Sequence, residues 1–325
     1  MMKLKLLLFI AISPSLLFAQ TTNNIRFTYT KNISLRVHVL KGVAKLFIDK
    51  SNISKKIVTK KQVDDPAAIP RRYFKEFQID TFLVDGRSVY RWSPKQKISD
   101  KTVLFVHGGG YIFNILRQHW NFVAQVIRRT NCSFIVPDYP LSPAVTYKES
   151  FVMMRLLYDS LIQEIGTEKL ILMGDSAGGG FAMALCEQNN ELKIAQPSQL
   201  ILIAPWLDIS LSNPEIKKVI KKDPLLDVES LVKIGQVWCG SIKSDNYLVS
   251  PINGDLRNLP QMSLFIGSHD ILVADSRKFK LLLENQKIPF NYFEYPKLFH
   301  DWVMLVKLPE AKDALNRISD LVNLK

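Results

Sequence analysis

Cysteine is scarce: the 325 residues hold three, Cys132, Cys186 and Cys239, far apart in the chain. An odd count at such spacing excludes a disulfide framework, and without a Cys-x-x-Cys pair no metal site is indicated. Buried free thiols are expected. Zinc-finger spacing and RNA-binding signatures are also missing. The net charge of +13, from 43 Lys and Arg against 30 Asp and Glu, therefore has no nucleic-acid motif to serve. There is no internal repeat and no low-complexity segment. What remains is a 47 % hydrophobic chain, enough for one large core of a single α/β domain.

The N-terminus carries Lys3 and Lys5, then an apolar stretch from Leu6 to Phe18 broken by Ser13-Pro14-Ser15, then Ala19-Gln20-Thr21. This is the pattern of a secretory signal peptide over residues 1–20, and it implies a secreted or periplasmic protein. The stretch is short for a membrane span, which needs about 20 apolar residues; an uncleaved membrane anchor is the alternative.

Residues 21–75 differ from the rest. From Lys31 to Lys75 stand twelve Lys or Arg and three Asp or Glu. Leu35, Val39, Val43, Leu46 and Phe47 recur at helical spacing, with Arg36, Lys41, Lys45 and Lys50 between them. Such a basic amphipathic helix can make weak contact with a membrane surface, or it can cover a hydrophobic site as part of a cap. The covering role is expected here. Asp64-Asp65-Pro66 marks a break, and a catalytic domain over 76–325 follows.

Glu76 to Val84 alternates as a strand, Asp85-Gly86 is a hairpin signal, and Arg87 to Trp92 returns. Buried strands are expected at Val103–Val106, Cys132–Val136, Leu170–Met173, Leu200–Ile203, Met262–Ile266 and Phe290–Tyr295. Helices are expected over 119–129, 150–164, 181–186, 274–286 and 309–324. Strands alternating with helices predict a mainly parallel, doubly wound sheet with helices on both faces.

The organising stretch is Leu170 to Gly180. An apolar strand runs into Gly174-Asp175-Ser176-Ala177-Gly178, and a helical pattern follows at once. Three fixed positions of this kind arise by chance about 0.1 times in such a chain, so the flanking strand and helix carry the argument. Strand, tight turn with serine, helix is the setting of a nucleophile elbow. A serine hydroxyl is a poor nucleophile near neutral pH and needs a base, which in turn needs an orienting acid. Ser176, Asp270 and His300 occur in the chain order of an α/β-hydrolase triad, each after a strand. His38 lies in the basic helix, His107 in a glycine loop, and His119 opens a helix. His269 abuts Asp270, which leaves it little room to act as the base. For the acid, Asp208 and Asp275 are rivals, while Asp175 should point away from the base.

The tetrahedral intermediate needs N–H donors on one side. His107-Gly108-Gly109-Gly110 follows a strand, so Gly108, Gly109 and Ala177 are the expected oxyanion hole. The run lacks G-x-G-x-x-G spacing and a Gly-Lys-Ser/Thr ending, which excludes a phosphate loop and a nucleotide cofactor.

At these residues the chain resembles the hormone-sensitive-lipase-like family of α/β-hydrolases. The resemblance rests on His107-Gly108-Gly109-Gly110 and Gly174-Asp175-Ser176-Ala177-Gly178-Gly179-Gly180. Further matches are Ala204-Pro205-Trp206-Leu207-Asp208, Asp223-Pro224-Leu225-Leu226, Ser250-Pro251, Leu259-Pro260 and Gly267-Ser268-His269-Asp270. It implies an α/β-hydrolase fold with an eight-stranded sheet. A helical cap would come from the N-terminus and residues 207–245. It also implies a carboxylic-ester hydrolase without metal or organic cofactor. Two segments depart from the family: Tyr139-Pro140-Leu141-Ser142-Pro143-Ala144 lacks its usual charged members, and Asp301-Trp302 replaces the usual Gly-Phe after the base.

The resemblance implies a small ester substrate with a short to medium acyl chain. Phe113, Trp206, Trp238 and Trp302 are candidates for lining its pocket. A carbohydrate acetyl esterase is one alternative, and a non-catalytic ligand-binding or membrane-associated protein is another. Activity should rise through the pKa of the histidine base, ordinarily about 6.5.

Overall fold

The computed structural model describes residues 24–47, 65–96 and 98–324. The signal-peptide reading of residues 1–20 lies outside them. Nine strands make one sheet: β1 (Arg26–Thr28), β2 (Phe77–Val84), β3 (Arg87–Pro94), β4 (Thr102–Val106), β5 (Ser133–Pro137), β6 (Leu170–Asp175), β7 (Gln199–Ile203), β8 (Gln261–Gly267) and β9 (Phe290–Tyr295). Their order is β1-β9-β8-β7-β6-β4-β5-β3-β2. The β2–β3 hairpin turns at Asp85-Gly86, both in the left-handed region (φ 50° and 73°), and joins β5 antiparallel. The remaining pairings are parallel.

The central strands are apolar throughout because both faces are covered. Leu104 and Val106 of β4, Leu172 of β6 and Leu200 and Leu202 of β7 enter one core. Val103, Phe105, Ile171, Met173, Ile201 and Ile203 enter the other. Helices α4 (Tyr147–Ile165), α5 (Ser176–Glu191), α6 (Val228–Cys239) and α7 (Val273–Asn285) bury residues in the first core. α3 (Arg117–Thr130) and α8 (Pro309–Val322) bury theirs in the second.

Two expectations about the N-terminal segment are corrected. Among the described residues the sheet has nine strands, because Arg26–Thr28 adds a parallel strand beside β9. This edge is pinned by side chains. Asn291 Oδ1 accepts the Ile25 amide at 2.9 Å, and the Arg26 guanidinium donates to the Phe290 carbonyl at 2.6 Å. Residues 21–75 are therefore not wholly helical cap: α1 (Leu35–Phe47) and the short α2 (Arg71–Glu76) are its described helices.

The second correction concerns which face of α1 meets the body. Val37 is fully buried, Ser34 binds Glu310 through its amide (2.6 Å), and Lys41 reaches the Lys297 carbonyl (3.1 Å) and His269. Residues 34, 37 and 41 share a helix face, so this mixed face is the docked one. Leu35, Val39, Val43 and Leu46 are turned away and stay 77, 55, 48 and 80 % exposed.

Candidate active site

The end of β6 and the start of α5 form a tight elbow. Ser176 sits at φ 51°, the left-handed region a non-glycine residue enters only under constraint. Close backbone packing supplies that constraint. A Cβ on Gly178 would lie 2.1 Å from the Val106 carbonyl oxygen, and one on Gly174 would lie 2.3 Å from that of Gly178. Only glycine lets β4, β6 and α5 approach this closely.

Three predicted residues meet at the carboxyl edge of the sheet. His300 Nε2 lies 2.8 Å from Ser176 Oγ, and His300 Nδ1 lies 2.8 Å from Asp270 Oδ2. A carboxylate only accepts, so the neutral imidazole carries its proton on Nδ1 and leaves Nε2 to accept from the serine. The Leu272 amide donates to Asp270 Oδ1 at 2.9 Å and fixes the acid. Asp223 steadies the same loop: it accepts from the Ile271 amide (2.9 Å) and from the amides of Leu225 and Leu226 (2.8 and 3.0 Å). The Asp-Pro-Leu-Leu motif thus ties the 207–245 segment to the acid loop.

The rival residues are engaged elsewhere. Asp208 accepts from the Ser210 amide and hydroxyl, and Asp275 from Asn213. His269 faces Lys41; burial first, then that ammonium, pushes the imidazole down to about 4. His107 is buried with Nδ1 against the Gly108 carbonyl (2.7 Å), and burial lowers it to about 3. It braces the glycine loop, as expected.

One oxyanion expectation fails. The Gly108 amide donates to Asp175 Oδ1 at 2.9 Å and is thereby committed. The other oxygen of Asp175 faces His119 Nε2 at 3.3 Å. Asp175 therefore clamps the glycine loop to the elbow and to α3, pointing away from His300. Gly109 and Gly110 are the loop glycines that line the cavity beside Ser176, and Ala177 opens α5. Nothing in the sequence distinguishes one glycine amide from the next, so only the Asp175 contact reveals this.

That cavity measures about 320 Å³ and is mainly apolar, with Phe113, Leu225, Leu231, Ile234, Met304 and Leu305 in its walls. Leu225, Leu226, Asp227, Ser230, Leu231 and Ile234 of the 207–245 segment line it; α1 does not. Of the four aromatic candidates only Phe113 is in the wall. Trp206, Trp238 and Trp302 are core residues: Trp238 stacks on Tyr111 at 4.0 Å and Trp302 packs on Tyr295 at 5.0 Å. No cluster of metal-ligating side chains occurs among the described residues.

Asp301 is the residue whose part was not foreseen. Its Oδ2 lies 3.1 Å from His300 Nε2, on the serine side of the ring. Burial raises its carboxyl to about 6, against the pull of His300. Burial alone would lower His300, but Asp301 and Asp270 outweigh it and hold the imidazole well above the ordinary histidine value.

A serine on a strained elbow, a histidine and an aspartate in line, at the carboxyl edge of a parallel sheet, define a serine hydrolase of α/β architecture. Residues 103–304 match the family described as alpha/beta hydrolase fold, and the chain belongs to it, among the hormone-sensitive-lipase-like carboxylic-ester hydrolases. An esterase of Acinetobacter venetianus is 30 % identical over 228 residues, 69 % of this chain and 75 % of that one. An acetyl esterase of Salmonella choleraesuis is 27 % identical over 247 residues, 69 % and 72 % of the two chains. A solved esterase of the bacterial hormone-sensitive lipase family superposes with a TM-score of 0.77 at 21 % identity, over 90 % of this chain and 99 % of the other; it attests the fold.

Proposed function

We propose that the protein hydrolyses esters of short- to medium-chain acids through a Ser176 acyl-enzyme. The observation that carries this is the continuous Oγ–Nε2 and Nδ1–Oδ2 contact, both 2.8 Å, facing an apolar cavity. His300 Nε2 takes the Ser176 proton as Oγ attacks the ester carbonyl. Asp270 orients the imidazole and balances its charge. The oxygen of the tetrahedral intermediate takes N–H donors from Gly109, Gly110 and Ala177. Nε2 then hands its proton to the departing alcohol. Water, deprotonated by the same nitrogen, attacks the acyl-enzyme and releases the acid.

A cavity of about 320 Å³ walled mainly by Leu, Ile and Met, with Phe113 and Phe299 as its phenyl rings, suits an alkyl chain more than a stacked sugar ring. Names among the relatives, esterase and acetyl esterase, agree with a short acyl group. Purified protein should therefore hydrolyse p-nitrophenyl butyrate or octanoate at least about tenfold better in kcat/KM than the palmitate. A maximum at palmitate, or turnover of acetylated sugars alone, would overturn the assignment.

The Lys3–Ala19 pattern carries a further proposal, export with removal of the leader. Intact mass of the protein recovered outside the cytoplasm should fall short by the leader of about 20 residues. Recovery only inside the cell at full mass would refute it.

A further inference from the structure

Beside the catalytic cavity lies a second, larger groove of about 1130 Å³ between α1 and α3. Gln118, Met304 and Leu305 line both, so the groove opens beside the mouth of the serine site. Its lining has an unusual balance. Arg36, Arg72, Arg117, Lys307 and Lys312 contribute five cations, and a sixth, Arg128, is held by Glu76 at 2.5 Å. Among the described residues that line it there is no Asp or Glu. Its apolar wall includes Leu35, Val39 and Leu40, which are 77, 55 and 40 % exposed, and Leu305 at 37 %. Val43 and Leu46 carry the apolar edge of α1 onward, also exposed.

An exposed apolar edge flanked by cations marks an interaction surface. Charge narrows the occupant. Residues 48–64 of this chain hold five Lys and two Asp, so the same sign of charge would meet the groove. A second copy carries +13 and is repelled likewise. A nucleic acid would use the cations but not the leucines and valines. A bilayer surface rich in anionic phospholipid uses both: headgroup phosphates meet the arginines and lysines, while acyl boundary takes the apolar edge.

We propose that the α1 edge and the basic groove seat this protein on an anionic phospholipid surface, with the mouth of the Ser176 cavity turned toward the bilayer. The seat stands on geometry and charge and does not depend on the ester chemistry.

The test is vesicle co-sedimentation of the full chain, with phosphatidylcholine alone and with a phosphatidylcholine–phosphatidylglycerol mixture. Two variants accompany it: R117E/K307E/K312E, and L35D/V39D/V43D. Wild type should bind the anionic mixture at least about tenfold more tightly than the neutral vesicles. The charge reversal should erase that preference, and the apolar variant should weaken binding to the mixture by about tenfold or more. Both variants should keep the wild-type circular dichroism and melting midpoint. Their turnover of soluble p-nitrophenyl butyrate should also be unchanged, since none of these residues touches the triad.

Equal binding to both vesicle types, unchanged in both variants, would overturn the proposal and leave the N-terminal stretch as the anchor. Full competition by free glycerophosphate would overturn it in favour of a soluble anion site. Concentration-dependent dimers without vesicle binding would overturn it in favour of a second copy.

Discussion

Replacing Ser176 with alanine is expected to lower kcat/KM for p-nitrophenyl butyrate by about 10⁴- to 10⁶-fold, with the melting midpoint within a few degrees of wild type. The size follows from what the oxygen does. It forms the bond to the acyl carbon, and among the described residues no other hydroxyl stands at 2.8 Å from Nε2 of His300. His300→Ala should lose nearly as much, because without Nε2 the hydroxyl keeps its proton. The double variant should be hardly worse than either single one, since the residues act as a unit. Stability should barely change: the bond of the serine hydroxyl is the one to His300, the Ser176 carbonyl keeps the Trp206 amide at 2.9 Å in the alanine variant, and φ 51° at this residue is tolerated no better by serine than by alanine. A folded Ser176→Ala protein with a percent or more of wild-type activity would place the nucleophile elsewhere.

Much of this site could be read from the chain alone, for a reason visible in the fold. Ser176 and Asp270 follow strands with apolar runs and His300 follows an aromatic-rich one, and parallel strands deliver their carboxyl ends to one edge. Leu170–Met173, Met262–Ile266 and Phe290–Tyr295 announce β6, β8 and β9, and thereby place Ser176, Asp270 and His300 together. The glycine spacing likewise reports a backbone approach that tolerates no Cβ. What could not be read lacks periodicity or depends on distant partners. β1 is three residues long, and its partner β9 lies some 266 positions away, so no local pattern betrays it. The helix at Leu35–Phe47 was legible, but not its docked face. The apolar stripe is the stronger signal in sequence, yet Ser34, Val37 and Lys41 find the specific partners. The glycine loop was legible too, while the commitment of one of its amides to Asp175 was not.

Asp301 is a departure visible in sequence whose consequence appears only in three dimensions. Asp301→Gly is expected to move the acid limb of the kcat/KM profile to lower pH, so that turnover well below the wild-type limb rises. The base works only when Nε2 is unprotonated, and activity therefore climbs as pH rises through the free-enzyme pKa of His300. In wild type the ring faces Asp270 across Nδ1 and Asp301 across Nε2, with Asp175 and Asp223 behind those carboxylates. A carboxylate 3.1 Å from Nε2 repels its lone pair and attracts the N–H of the imidazolium. The charged form is favoured, the pKa stands well above the ordinary 6.5, and the acid limb lies on the alkaline side of the simple histidine expectation. Removing the Asp301 charge takes away the contribution from the serine side and leaves that of Asp270. Glycine is the substitution of choice because residue 301 sits at φ 50°, where a Cβ is disfavoured. Asp301→Asn keeps the shape without the charge and should shift the limb in the same direction. If neither variant moves the limb, Asp301 does not govern the protonation of the base. If both lower the plateau instead, the carboxylate serves the imidazolium of the transition state, and its cost in base availability near neutral pH is what that service requires.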